Sequence, residues 1–359
     1  MQAIKQTSPY VRKQVSTKRM MIDVLIALIP VVVFSIYRFG WDAVVRILVS
    51  LVLMIGLEAL IIGMVNKPKK TDNTFKEKLK SRYSTYTINN ITAPAVSAII
   101  YAMLMPSKLP VYAVAVGAIF AIVVVKMMFG GLGGNIFNVA AAGRRFISLA
   151  LTGMFAGVYV GVDLVAGATP LTALKSGMGF PSVLNSYPLL DLFTGNIPGT
   201  MGEISAIAIL IGLIYLLIRR TADYRIVLST AITFVLLITL IGLRLYPNQW
   251  MEFLLYNLFS GGLLFGLTFM VTDPVTAPLT RPGRWLYGLL IGSLIVLIRT
   301  FGAYAEGVAA GLLFANMFVP LIDYPKWSSN VIRPRFVIGY VVLLAIMCLV
   351  VYFGVGGAL

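Results

Sequence analysis

The chain has 359 residues, 59% hydrophobic and only 12% charged, with a mean hydropathy of +0.92; no single soluble core encloses so much apolar surface, and an integral membrane protein is expected. The formal charge of +16, with no histidine, comes from Lys and Arg in short polar segments between long apolar ones, which is a topology signal and not the footprint of nucleic acid. The single cysteine, Cys348, lies in an apolar run; this excludes a disulfide framework, a cluster ligated by cysteines of this chain and a Cys/His zinc site, so redox work would need an organic cofactor or one held by a partner.

Residues 1–21 are polar and basic, lack the short apolar core of a signal peptide, and are assigned as a cytoplasmic N-terminal segment. Eleven apolar stretches follow, near 22–38, 44–65, 92–106, 111–129, 135–160, 204–218, 226–245, 253–272, 285–300, 304–321 and 336–355, each a candidate span at about 17–25 residues per crossing. Several are short or interrupted: Pro94 and Pro106 bracket the third, and the fifth carries Asn135, Asn138, Arg144 and Arg145. Basic residues set the orientation, because Lys and Arg are retained on the cytoplasmic side. With the N-terminus inside, that side collects Lys67, Lys69, Lys70, Lys76, Lys78, Lys80 and Arg82, and later Lys126, Arg144, Arg145, Arg219, Arg220, Arg225, Arg281, Arg284, Lys326, Arg333 and Arg335. The opposite side keeps Arg38, Lys108, Lys175, Arg244 and Arg299.

An internal repeat is legible. Met103-Leu104-Met105-Pro106, a span, and the run Phe129 to Asn138 parallel Met270-Val271-Thr272-Asp273-Pro274, a span, and Leu312 to Met317. Five spans per repeat, an odd number, invert the second half relative to the first and put sites near the midplane at broken helices. The expected fold is an all-α polytopic membrane protein: a ten-span core of two inverted repeats, 22–160 and 204–323, joined by an external loop at 161–203, with a cytoplasmic loop and an extra C-terminal span in 324–359.

Four places are candidates for chemistry. Thr169 lies in a small-residue loop, Ala166-Gly167-Ala168-Thr169-Pro170-Leu171, flanked by Gly153, Gly157, Gly161, Gly177 and Gly179; such a threonine is ordinarily a turn residue. Gly130, Gly131, Gly133 and Gly134 with Asn135 and Asn138 sit at a span boundary. They read either as close helix packing or as a bare wall for a flat ring whose polar edge the amides bond. Asp273 and Asp323 end apolar runs, where a carboxylate is costly and marks ion coupling, or else Asp273 caps the next helix or pairs with Arg281 or Arg284. Glu58, deep in the second span, reads as a neutral carboxyl hydrogen-bonded inside the bundle.

Taken together, Ser8-Pro9-Tyr10, Phe129 to Asn138, Ala166 to Leu171, Thr272-Asp273-Pro274-Val275-Thr276 and Phe314 to Asp323 resemble the D subunits of Rnf electron-transport complexes, close relatives of the B subunits of sodium-pumping NADH:quinone reductases. The resemblance runs to about residue 335. It implies FMN joined through its phosphate to the Thr169 hydroxyl, on the external face of a bacterial cytoplasmic membrane. It also implies a second, noncovalent flavin (riboflavin or FMN) near the cytoplasmic side, with the run 129–138 as its wall. The implied partners are a flavinylated external subunit, membrane iron-sulfur subunits, a flavin transferase for maturation and membrane lipid, with no nucleic acid. The implied activity is electron transfer within a ferredoxin:NAD oxidoreductase, coupled to Na⁺ or H⁺ movement. Two alternatives remain at this point: the quinone-reductase B subunit, and a channel or transporter for a small polar solute. Ala166 departs from the polar residue expected in the flavin-attachment motif. Met127 stands where the quinone reductases are expected to carry an acid after Lys126, a departure that favours the Rnf assignment.

Overall fold

The computed structural model describes residues 16–68, 74–155, 159, 169–177 and 179–357; the Ser8-Pro9-Tyr10 motif and Ala166 lie outside them. The described residues form helices and no strands. In chain order they are α1 (Thr17–Phe39), α2 (Trp41–Val65), α3 (Phe75–Arg82), α4 (Asn89–Met103), α5 (Val111–Phe120, continued by a π-helix, Ala121–Met127) and α6 (Val139–Ala150). Three short helices follow, α7 (Pro170–Lys175), α8 (Phe180–Ser186) and α9 (Leu189–Thr194). The second half holds α10 (Ala206–Arg219), α11 (Tyr224–Leu245), α12 (Trp250–Phe259), α13 (Leu263–Phe269), α14 (Arg281–Phe301), α15 (Val308–Ile322) and α16 (Pro334–Gly357).

Each of the eleven apolar stretches contains a helix, but not each is a full crossing. Among the described residues five helices are long and apolar enough to cross a membrane, or six with α12 and α13 as one span bent by 50°. The fifth stretch, expected over 135–160, contributes only the 12 residues of α6, about 18 Å of helix against a hydrocarbon core of about 30 Å. Its start is fixed by Asn138, whose side chain accepts the Ala141 amide at 3.1 Å, the usual role of asparagine at a helix N-cap. The bend between α12 and α13 falls at Gly261 and Gly262, with φ of 69° and 68°, a left-handed backbone that glycine adopts without a Cβ penalty.

The two halves repeat in their packing. α1 lies on α4 as α10 lies on α13; α2 packs against α4 and α5 as α11 packs against α12 and α14; α5 meets α6 as α14 meets α15. Across the halves, α1 packs on its counterpart α10, and α6 on its counterpart α15. The α1–α10 pair is antiparallel, since Asp23 near the start of α1 accepts from Arg219 at the end of α10 at 3.1 and 3.2 Å. Asp23 is 3% exposed and also accepts from Thr221 at 3.0 Å and Tyr215 at 3.3 Å, so its charge is matched. The runs set parallel in sequence, Phe129 to Asn138 and Leu312 to Met317, do not occupy equivalent places. Asn138 begins α6 whereas Asn316 lies inside α15, and the two meet across the interface of the halves, with the Asn138 amide donating to Asn316 Oδ1 at 3.1 Å.

In lipid, helices associate through close packing and hydrogen bonds more than through the hydrophobic effect. Gly212 shows this on α10, because a Cβ there would lie 2.7 Å from the Ala27 carbonyl of α1 and 3.0 Å from the Phe269 ring. Gly212→Val is expected to cost about 1–3 kcal/mol, the usual range for overpacking, read as a lowered melting temperature in detergent. An unchanged transition would show that α1 and α10 can separate freely. α16 lies outside this pseudo-symmetric core, against α11 and α14, with the Tyr340 hydroxyl 2.9 Å from Ser229 Oγ.

Candidate functional site

Two polar cavities open at opposite ends of the bundle. Thr169 is at the end away from the start of α1. Lys175 of the same short helix bonds the carbonyls of Arg299, at 3.3 Å, and Tyr304, at 3.0 Å, around the end of α14, while Arg284 at the start of α14 pairs with Asp223. Thr169 is 6% exposed and caps α7, with Pro170 in the first turn. Its Oγ1 accepts the Thr172 amide at 3.3 Å and lies 2.7 Å from Thr172 Oγ1. The hydroxyl expected in an open loop is therefore engaged, and the segment expected as plain loop carries α7, α8 and α9.

Thr172 lines a cavity of about 190 Å³. Its polar wall is built from α6, the segment before α10 and the segment after α14. Arg144 donates to the Tyr159 hydroxyl at 3.1 Å and lies 3.7 Å from Glu306. Arg145 stacks its guanidinium 3.8 Å over the Tyr304 ring. Glu203, just before α10, faces Gly262 so closely that a Cβ there would meet its Oε1 at 2.5 Å. Burial, with Glu306 beside it, pushes the Glu203 carboxyl up to about 8, against the pull of Arg144 and Arg299. Behind the cavity, Arg299 donates to the carbonyls of Asn257, at 2.7 Å, and Gly261, at 3.0 Å, and so satisfies acceptors freed where α12 breaks.

The second cavity, about 70 Å³, lies near the start of α1 and is lined by Lys126, Asn135, Asn138, Thr268 and Asp273 among others. Asp273 Oδ1 accepts the Val275 amide at 3.1 Å, and its Oδ2 accepts from Thr276 and Asn138, both at 3.2 Å. Burial raises its carboxyl above the ordinary aspartate range, opposed by those hydrogen bonds and by Lys126. It pairs with neither Arg281 nor Arg284. Asn138 also donates to the Met270 carbonyl at 3.5 Å, and Met270 borders the Thr169-side cavity; the Asn138–Met270 contact is the layer between the two.

The glycine run divides. Gly130, Gly131 and Gly133 have φ of 104°, 83° and 89°, so glycine there makes a turn that L side chains resist. At Gly134 a Cβ would come within 2.3 Å of the Phe129 carbonyl. Gly130 and Gly131 border a third cavity, of about 350 Å³, beside Glu58 and Asn90, whereas Asn135 and Asn138 border the cavity with Asp273. The run is thus a turn between two cavities and not one continuous wall. Glu58 is hydrogen-bonded inside the bundle, and its partner is a buried lysine: its Oε2 accepts from Lys126 at 2.6 Å, with both side chains at most 2% exposed. Asp323 lies apart from these cavities. It accepts the Leu279 amide at 2.6 Å, and the Thr280 amide and hydroxyl at 3.3 and 2.7 Å, which braces the turn entering α14, and it lines none of these cavities. Asp323→Asn, which keeps one acceptor oxygen and loses the charged one, should therefore lower stability by about 1 kcal/mol and leave transport per folded molecule unchanged. A transport defect in a fully stable Asp323→Asn protein would contradict this assignment.

Sequence reading singles out neither the Arg144–Tyr159–Glu306 group nor Glu203. Their partners are far apart in the chain, and the only local signal is two arginines inside an apolar run; counted by charge with Lys126 on one side, Arg144 and Arg145 instead line the cavity at the other end, beside Thr172.

A family model described as NQR2, RnfD, RnfE matches residues 4–331. The chain is 33% identical over 361 residues to the B subunit of the Na(+)-translocating NADH-quinone reductase of Ectopseudomonas mendocina (strain ymp), covering 92% of this chain and 89% of that protein. It is 33% identical over 364 residues to the protein of the same name from Haemophilus influenzae (strain PittEE), with 91% and 88% covered. With the one from Klebsiella pneumoniae (strain 342) it shares 41% over 250 residues, 67% of this chain and 60% of that protein. The match spans both halves of the bundle and both cavities, and the chain belongs to the NQR2, RnfD, RnfE family.

Proposed function

We propose that this chain is the B-type membrane subunit of a Na⁺-translocating NADH-quinone reductase, carrying electrons through a flavin bound covalently at Thr169 and coupling their passage to ion movement. The relatives named above carry that name over nine-tenths of the chain, which moves the quinone reductase ahead of the Rnf complex expected first from sequence. The D subunit of an Rnf complex is the second reading, favoured by Met127 following Lys126.

The observation that supports a redox role is the placement of Thr169 against Thr172, which lines a cavity suited to a flavin phosphate. Arg144 and Arg145 are the cations there, lying over the Phe155 and Tyr304 rings. When esterified, the Thr169 oxygen can still accept the Thr172 amide, so attachment need not destroy the cap of α7. Bound FMN would supply one- and two-electron exchange without a metal ligand from this chain. Residues of the opposite cavity, Asn135, Asn138 and Asp273, offer donors and an acceptor to the polar edge of a second flavin, or to the translocated cation. The basic residues at the start of α1, the end of α10 and the start of α14 support a cytoplasmic position for that cavity and an external one for Thr169. Asp273→Asn is expected to slow ion movement more than flavin reduction.

Deletion of the gene should abolish Na⁺-dependent NADH:quinone activity in native membranes, and the plasmid-borne chain should restore it. Loss of ferredoxin:NAD activity instead would select the Rnf reading, and loss of neither would reject both.

A further inference from the structure

We propose that α3 and its flanks form a platform that binds anionic lipid headgroups at the bilayer surface and thereby steadies the rim of the Glu58 cavity. This inference does not depend on the flavin. α3 is short, and no residue of it is buried. Phe75 and Leu79, one helical turn apart on one face, are 77% and 47% exposed. Lys76 and Lys80 flank that stripe on one side and Lys78 on the other, all exposed, with Lys67 exposed nearby and Glu77 the only acid of the helix. An apolar stripe edged by lysines is the pattern of a helix lying in a membrane interface, its lysine stems along the acyl boundary and its charges among headgroups.

Depth follows from how the segment is tied down. The Tyr83 hydroxyl donates to the Ala59 carbonyl at 3.1 Å, and Arg82 donates to the Gly63 carbonyl at 3.0 Å. Asn66 at the end of α2 donates to the Arg82 carbonyl at 2.8 Å. Gly63 admits the Tyr83 ring, since a Cβ would sit 2.4 Å from its hydroxyl oxygen. α3 is thus moored beside the last turn of α2, a 25-residue helix of about 37 Å whose ends reach past a hydrocarbon core of about 30 Å. That level is the headgroup layer. Tyr83 and Tyr86, in edge contact with centroids 5.7 Å apart, suit the same depth. Asn66 and Thr85, on either side of α3, line the cavity that holds Glu58, so whatever holds α3 also holds one rim of that cavity. Each lysine near an anionic surface adds about fivefold in affinity, and the chemistry selects phosphatidylglycerol-like headgroups over zwitterionic ones.

The test uses Phe75→Cys in a Cys348→Ala background, labelled with an environment-sensitive bimane and reconstituted in nanodiscs, both as the isolated chain and within its native complex. In phosphatidylglycerol the probe should be blue-shifted, quenched by lipid brominated near the headgroup and shielded from aqueous iodide. In phosphatidylcholine the lipid quenching should fall several-fold. Replacing Lys76, Lys78 and Lys80 together with Gln should erase the difference between the two lipids. These lysines are exposed, so folding is not at stake; retained detergent solubility and melting temperature would check it. Iodide quenching that is equal in both lipids would overturn the proposal. So would a probe shielded from iodide and bromolipid alike only in the intact complex, which would identify a neighbouring protein of the complex as the occupant.

Discussion

Thr169→Ala should leave the denatured subunit without in-gel flavin fluorescence when it is made in cells that contain the flavin transferase, whereas Thr169→Ser should keep most of it. The alanine removes the only hydroxyl through which the phosphate is proposed to be attached. It also removes the N-cap of α7, which contacts Thr172, and loss of such a cap costs about 1 kcal/mol. Serine restores both the nucleophilic oxygen and the cap, so it separates a lost attachment point from a loosened helix. Thr172→Ala is the second control. It deletes the hydroxyl 2.7 Å from Thr169 Oγ1 but keeps the backbone amide that the cap uses, and covalent flavin should persist. Fluorescence surviving in Thr169→Ala would mean that another side chain carries the flavin.

The largest stability effect is expected at the Glu58–Lys126 pair. The two residues are 68 apart in sequence and join α2 to the π-helix that ends α5. Glu58 Oε1 makes no hydrogen bond of good geometry; Asn90 is the other polar side chain beside the carboxyl, and Lys126 is its one counter-charge among the described residues. Lys126→Met leaves that carboxylate buried and unmatched, and removal of one partner of a buried pair typically costs about 3–5 kcal/mol. Glu58→Leu strands the ammonium in the same way, though Lys126 also borders the cavity with Asp273 and can turn toward it, so its cost should be the smaller. The double variant, Glu58→Leu with Lys126→Met, should recover much of the lost stability, because a packed apolar pair of similar volume is often as stable as a buried ion pair. Thermal unfolding in detergent gives all three values. Single losses that simply add in the double variant would show that the two charges do not depend on each other. If the double variant is stable yet inactive, the pair serves turnover and not folding.

Much of the architecture is legible in the sequence, since apolar stretches long enough to be helical are a local property. The limits of those helices are less so. α6 is shorter than its apolar run because Asn138 caps it, and the helices α7 to α9 hide in a stretch rich in glycine and proline. Thr169 followed by Pro170 is itself a helix-start signature, and reading it as a turn misses α7. Charges are harder still, because a sequence does not announce partners that lie far apart. Lys126 looks like a solvated loop lysine, yet it is buried against Glu58. Asp323 looks like a carboxylate exposed to an ion path, yet its oxygens are used 43 and 44 residues away at Thr280 and Leu279. Asp273 keeps its place beside a cavity, but through a local turn with Val275 and Thr276. The runs that hold Asn138 and Asn316 read in sequence as repeat counterparts, and these two residues are instead where the repeats touch.

The intact mass of the subunit, purified from a host with an active flavin transferase, tests the central claim most directly. A mass heavier than the sequence by one phosphate-linked FMN, with the addition mapped to the peptide that contains Thr169, is the predicted result. The bare sequence mass, from cells in which a known acceptor protein is fully modified, would contradict it.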